Sequence, residues 1–245
     1  MRDSGFSSTI CRRKFIAYGG WLAAGAATAP DKATAQNAPE KEDIPVSPLE
    51  DLMREHGLLD RILLLFEEVH ARLKGGQGFP IETIGTAAGI VRHFVEDYHE
   101  KLEEDHIFPR FEKAGKLNAL TEILRGQHKA GRTLTDWILA HATESSLGTQ
   151  QNREEMAGHL GRFVRMYRPH KAREDTELFP AFRAVIAPRE YDALGERFED
   201  EEHKLFGAEG FEKNVETVAQ LERGLDIFNL GKFTKRPMRP AWFSS

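Results

Sequence analysis

Residues 98–111 read Tyr98-His99-Glu100-Lys101-Leu102-Glu103-Glu104-Asp105-His106-Ile107-Phe108-Pro109-Arg110-Phe111. Residues 169–182 follow the same plan, as Pro169-His170-Lys171-Ala172-Arg173-Glu174-Asp175-Thr176-Glu177-Leu178-Phe179-Pro180-Ala181-Phe182. His99, Glu103, Phe108, Pro109 and Phe111 thus recur 71 positions later as His170, Glu174, Phe179, Pro180 and Phe182. A lone histidine precedes each copy, His56 and His128, 72 positions apart. Helical residues four apart lie about 40° apart on one face, so each His-x-x-x-Glu pair points one way. Four imidazoles and two carboxylates, supplied in duplicated order, are the donor set of a binuclear metal site.

Outward from this repeat the chain reads as helices. Ser47-Pro48-Leu49-Glu50 has the form of a capping box with proline at the first helical position. A first helix then carries Leu49, Leu52, Met53, Leu59, Ile62, Leu63 and Phe66 to a stop at Gly75-Gly76. A second begins near Pro80, carries Ile84, Ile90, Val91, Phe94, Val95, Tyr98 and Leu102, and ends at Gly115. The third covers about 118–142 with Leu120, Ile123, Leu124, Leu134, Trp137 and Ile138. Asn152-Arg153-Glu154-Glu155 reads as a box-like start for the fourth, which runs to about Ile186 before Pro188. Pro109 and Pro180 each remove a backbone donor and should bend their helices just beyond the repeat.

Four amphipathic segments on short connections predict an all-α, antiparallel up-down four-helix bundle over residues 48–187. Residues 188–230 predict a C-terminal helical extension, split around 207–210 and expected to cap the open end of the bundle. The basic, proline-containing residues 231–245 read as a loosely packed tail. His56, His99, Glu103, His128, His170 and Glu174 would meet inside the bundle, with two metals bridged by the glutamates. Mixed imidazole and carboxylate ligands suit iron best, then manganese or zinc. A ferritin-like carboxylate site needs Glu-x-x-His on two helices. Glu96-x-x-His99 and Glu103-x-x-His106 both fall on one, which excludes it.

The first 35 residues read as an address rather than as fold. Arg12-Arg13-Lys14-Phe15-Ile16 precedes a weakly apolar stretch, with Ala-x-Ala sites ending at Ala29 and Ala35. That order predicts a twin-arginine-type export signal, followed by a linker over 36–47, and hence a periplasmic protein. The apolar stretch is too short for stable membrane insertion. Cys11 lies within this segment, so the body has no thiolate with which to hold a metal. The formal charge of −5 becomes 29 minus 37, or −8, once 1–35 are removed. An acidic body without a basic stripe argues against nucleic acid as a partner.

The pieces Arg54-Glu55-His56, Tyr98-His99-x3-Glu103 with Ile107-Phe108-Pro109, Gln127-His128, and Pro169-His170-x3-Glu174 with Leu178-Phe179-Pro180 resemble the hemerythrin-like HHE cation-binding family. The resemblance covers 48–187. It implies a four-helix bundle holding two non-haem irons in an oxo-bridged centre, with His56, His99, Glu103, His128, His170 and Glu174 as ligands. Oxygen-carrying members have a further histidine where this chain has Arg132, and end in His-x4-Asp where this chain has His-x3-Glu. The departure points away from a dedicated oxygen carrier.

Among the other polar residues, Tyr98, His106 and Tyr167 are expected around the ligands, and Phe108 and Phe179 as walls against water. Glu104 and Asp175 also repeat, but each is turned about 100° from the ligand face, and both read as flank residues. His70, His93, His141 and His159 read as surface or interhelix groups, and the acidic run Glu199–Glu202 beside His203 as a solvated face. No catalytic acid, base or nucleophile stands out from the ligands. The expected function is binding of dioxygen or nitric oxide, for storage, delivery or sensing. The alternatives are an oxidoreductase acting on peroxide or nitric oxide with electrons from a redox partner protein, and a module that stores or donates iron.

Overall fold

The computed structural model describes residues 46–234. The expected export signal, most of the linker and the tail from 235 lie outside the described residues. Helix α1 (Pro48–Gly75) starts at the proline and stops where Gly76 takes a φ of 66°, a left-handed turn open to glycine. Helix α2 spans residues 82–114 and ends on Gly115, again left-handed, with its N–H bonded back to Glu112. Helix α3 (Asn118–His141) and helix α4, residues 150–182, complete the bundle. The cap of α4 is Thr149, whose hydroxyl accepts from the Asn152 N–H at 3.1 Å. The start expected at Asn152 therefore lies inside the helix. Its end falls four residues short of Ile186, because 183–186 form a turn on Ala181 and Phe182.

Each long helix lies against two others, α1 against α2 and α4, and α3 against the same pair, which closes a ring. Leu52, Ile62, Phe66, Ile84, Val91, Ile138, Leu160 and Phe163 fill its interior, all 1% exposed or less. Each side chain of this size contributes about 1.5–3 kcal/mol on burial. The seam of α3 differs from the apolar one expected. Its buried positions are Thr121, Leu124, His128, Gly131, Thr135 and Ile138, at heptad spacing, while Ile123 faces out at 59% exposure. A polar seam places His128 and its neighbours against the middle of the bundle.

Helices α2 and α4 are not α-helical throughout. Val91–His99, Glu103–Ile107 and Glu174–Leu178 are wound as π-turns, with the N–H of Phe108 reaching Glu103 O and that of Phe179 reaching Glu174 O. Pro109 and Pro180 sit just past these turns, at the start of the next α segment. The missing proline donors are thus absorbed by widened turns, which occur at functional positions in helices.

Helices α5 (Pro188–Phe206) and α6 (Gly210–Gly224) form the extension. They lie along the outside of the α1–α2 pair rather than over an end of the bundle. Phe206 and Phe211 pack on Phe94, the Tyr98 hydroxyl donates to Phe198 O, and Arg61 makes a two-pronged pair with Glu222. Glu202, expected on a solvated face, is 1% exposed, and its carboxylate accepts from the Phe211 N–H at the start of α6. Among the described residues no helix is long and apolar enough to cross a membrane.

Candidate metal centre

The structure brings six of the expected residues together from four helices. His56 comes from α1, His99 and Glu103 from α2, His128 from α3, and His170 and Glu174 from α4; all are 4% exposed or less. The imidazoles form two pairs by their Nε2 atoms, His56 with His99 at 3.1 Å and His128 with His170 at 3.2 Å. Two nitrogens held side by side on one ion at about 2.1 Å lie about 3 Å apart, so both spacings fit a shared cation.

Each carboxylate reaches both pairs with different oxygens. Glu103 Oε1 lies 3.7 Å from His99 Nε2, and its Oε2 lies 3.4 Å from His128 Nε2. Glu174 Oε2 lies 3.4 Å from His56 Nε2, while its Oε1 lies 3.1 Å from His170 Nε2 and 3.9 Å from His128 Nε2. None of these four oxygens has a hydrogen-bond partner, and both glutamates are fully buried. Dehydrated carboxylates without donors cost several kcal/mol each unless a cation faces them. The donor set therefore fits a metal.

Electrostatics shows the same demand. Burial, together with the charges of Glu174, Glu100, Glu55 and Glu104, pushes Glu103 well above the usual carboxylate range. Burial acts on Glu174 as well, but His170 and His56 outweigh it and hold this carboxyl low. Burial alone would lower His56; the hydrogen bond to Asp175 and the nearby charges of Glu174 and Asp175 override it and raise the imidazole to about 9. His128 goes the other way, to about 4, because burial and its neighbour His170 outweigh Glu104.

Four residues not expected at the centre stand behind the imidazoles. His56 Nδ1 bonds Asp175 at 2.8 Å, His99 Nδ1 bonds Glu55 at 2.7 Å, His128 Nδ1 bonds Glu104 at 3.1 Å and His170 Nδ1 bonds Gln127 at 3.0 Å. A carboxylate only accepts, so a bonded Nδ1 carries the hydrogen and the Nε2 lone pair turns inward. Glu104 and Asp175 are thus not flank residues. In a ring of four helices, a side chain turned about 100° from the centre meets the outer edge of a neighbouring helix. There it reaches that helix's histidine from behind. The legible signal was the repeat itself, since Glu55 and Gln127, like Glu104 and Asp175, share the spacing of the ligands.

The remaining expectations divide. Phe179 stacks on His56 and Phe108 on His128, both at 5.5 Å between ring centres, so each walls off one imidazole. Tyr167 donates to Glu100 Oε1 at 2.8 Å and meets His170 edge-on. Tyr98 and His106 turn away from the ligands toward α5, Tyr98 to Phe198 O and His106 to the Phe198 ring and Glu201. Arg132 does not enter the centre; it bridges Glu100 and Glu104 at 2.8 Å to each. His70 donates to Ala157 O between helices, and His141 and His159 stack on Trp137.

Comparison with known proteins agrees with the geometry. The model of the hemerythrin HHE cation-binding domain matches residues 47–182 and again 119–226. The two matches begin 72 residues apart, the spacing of His56 and His128, so the second follows the internal repeat. Uncharacterized proteins of Mycobacterium bovis and of two Mycobacterium tuberculosis strains are each 45% identical over 210 residues, 86% of this chain and 82% of theirs. No solved structure matches the chain.

Proposed function

Because the chain belongs to the hemerythrin HHE cation-binding domain family, we propose that it is a two-iron protein that binds dioxygen or nitric oxide. The observation that carries this reading is the division of Glu103 and Glu174, each with one oxygen toward each imidazole pair. His56, His99, Glu103, His128, His170 and Glu174 would hold the ions, with one imidazole pair at each position and each carboxylate turned to both pairs. When bound, the irons supply open coordination positions and the electrons that a diatomic ligand draws on.

The chain's own part is to arrange and to exclude. Asp175, Glu55, Glu104 and Gln127 fix the imidazole tautomers, and Phe108 and Phe179 keep water off two of the rings. Tyr167 and Glu100 hold a hydrogen-bonded proton 2.8 Å apart beside His170. Arg132, bonded to carboxylates, adds no fifth nitrogen to the donor set. On the reading of Arg12-Arg13, the centre is loaded before export and works in the periplasm.

The test is the metal content per chain, read beside the visible spectrum. About two irons with oxo-bridged ferric absorption is the expected result, lost in His170→Ala and Glu103→Ala variants that still fold. Reversible uptake of dioxygen or nitric oxide by the reduced protein would then separate a binder from an enzyme. Steady consumption of peroxide or nitric oxide with a reductant would instead favour the oxidoreductase. A chain that takes only zinc, or no metal, would defeat every redox reading.

A further inference from the structure

The two imidazole pairs are related by the internal repeat, but what stands behind them is not. His56 and His99 each give their Nδ1 hydrogen to a carboxylate, Asp175 at 2.8 Å and Glu55 at 2.7 Å. Glu55 is 3% exposed, and its second oxygen has no hydrogen-bond partner, so its charge bears on His99 with little sharing. Asp175 meets one cation, Lys171, at 3.8 Å, and that lysine sits closer to Asp60, at 2.8 Å.

His128 and His170 are backed differently. The Glu104 oxygen that accepts from His128, at 3.1 Å, also takes Arg132 at 2.8 Å, and its other oxygen takes Lys101 at 3.0 Å. Glu104 thus shares its charge with two cations, of which Arg132 also holds Glu100, whose carboxylate lies 4.0 Å from His128 Nδ1. His170 faces the neutral amide of Gln127 at 3.0 Å. Gln127 stands 72 positions after Glu55, at the equivalent place in the repeat. At this place the two halves share the hydrogen bond but not the charge.

An anionic acceptor behind an imidazole makes its other nitrogen a better donor and adds negative charge near the ion. A neutral amide, or a carboxylate already held by two cations, does so weakly. We infer that the two metal positions are unequal, and that the ion between His56 and His99 is held tightly while the one between His128 and His170 is bound last and released first. The charge difference between Glu55 and Gln127 is its main cause. This inference rests on the two-ion reading above.

Manganese(II) titrated into the metal-free full chain, with free ion counted by its paramagnetic resonance signal, tests it. Two steps should appear, with Kd values at least about tenfold apart, the usual size of such outer effects. Glu55→Gln should weaken the tight step about tenfold and leave the other in place. Gln127→Glu, a variant that adds rather than removes a hydrogen-bonded charge, should tighten the weak step about tenfold. That second arm stands even if the first variant folds poorly. Two equivalent sites in the unaltered chain, or variants that move both steps alike, would overturn the inference while leaving the two-ion reading intact. Failure of the unaltered chain to bind any manganese or iron would defeat both.

Discussion

A buried carboxyl on α2 shows how far single residues are set by their surroundings. Glu96 is 0% exposed, and burial pushes it up to about 7 although the Thr135 hydroxyl at 2.5 Å and Arg92 at 2.6 Å favour the anion. A carboxyl raised by folding keeps its proton in the native state where the unfolded chain has lost it. Its contribution to stability is therefore complete below pH 4.5 and disappears as the pH climbs through about 7. Glu96→Gln should remove that slope. Relative to the unaltered protein, the variant should gain up to about 3 kcal/mol at pH 8 and nothing at pH 4, read from urea midpoints at both values. Identical slopes for the two proteins would show that Arg92 already compensates the charge.

At the scale of the helix, the seam of α3 explains why a glycine stands among better helix formers. A Cβ on Gly131 would lie 2.0 Å from the Tyr167 hydroxyl and 2.7 Å from its ring carbon. The glycine thus makes room for Tyr167 to reach Glu100 from α4. Gly131→Ala would gain about 1 kcal/mol in helix propensity. The displaced ring and the lost hydrogen bond should outweigh this, for a net destabilisation of about 1–3 kcal/mol in chemical denaturation. A neutral or stabilising result would mean that α3 and α4 can part at little cost. The π-turns belong to this scale too. Proline at 109 and 180 announced a disturbance, but a proline alone does not say whether a helix bends, stops or widens.

Across the whole molecule, the extension is built into the bundle's outer wall. Phe198 is 1% exposed on α5, and it lies against the His106 ring while its carbonyl takes the Tyr98 hydroxyl. Phe198→Ala should cost about 3–5 kcal/mol in urea unfolding, as buried aromatic truncations do. Metal per chain should be unchanged, because the ring packs on His106, which turns away from the six converging residues. Metal loss that tracks the loss of stability would instead tie α5 to the centre, by way of Glu202, whose carboxylate lies within 4.8 Å of that of Glu55.

The helices, their order and the six converging residues were legible because each rests on local physics. Heptad-like apolar spacing, glycine stops and His-x-x-x-Glu on one face all act within a few turns of one helix. Even the repeat of Glu55, Gln127, Glu104 and Asp175 was visible as spacing. What their side chains do was not, since the partner of each imidazole stands on a neighbouring helix: Glu55 on α1 serves His99 on α2, and Asp175 on α4 serves His56 on α1. Tyr98, by its place beside His99, read as a neighbour of the metal, and the packing of α5 turned it outward. The sequence by itself determined an all-α bundle and the metal-binding donor set. The assignment of a carboxylate, a shared carboxylate or an amide to each histidine was decided only by how the four helices close into a ring, because that charge pattern depends on distances between residues 24 to 119 positions apart.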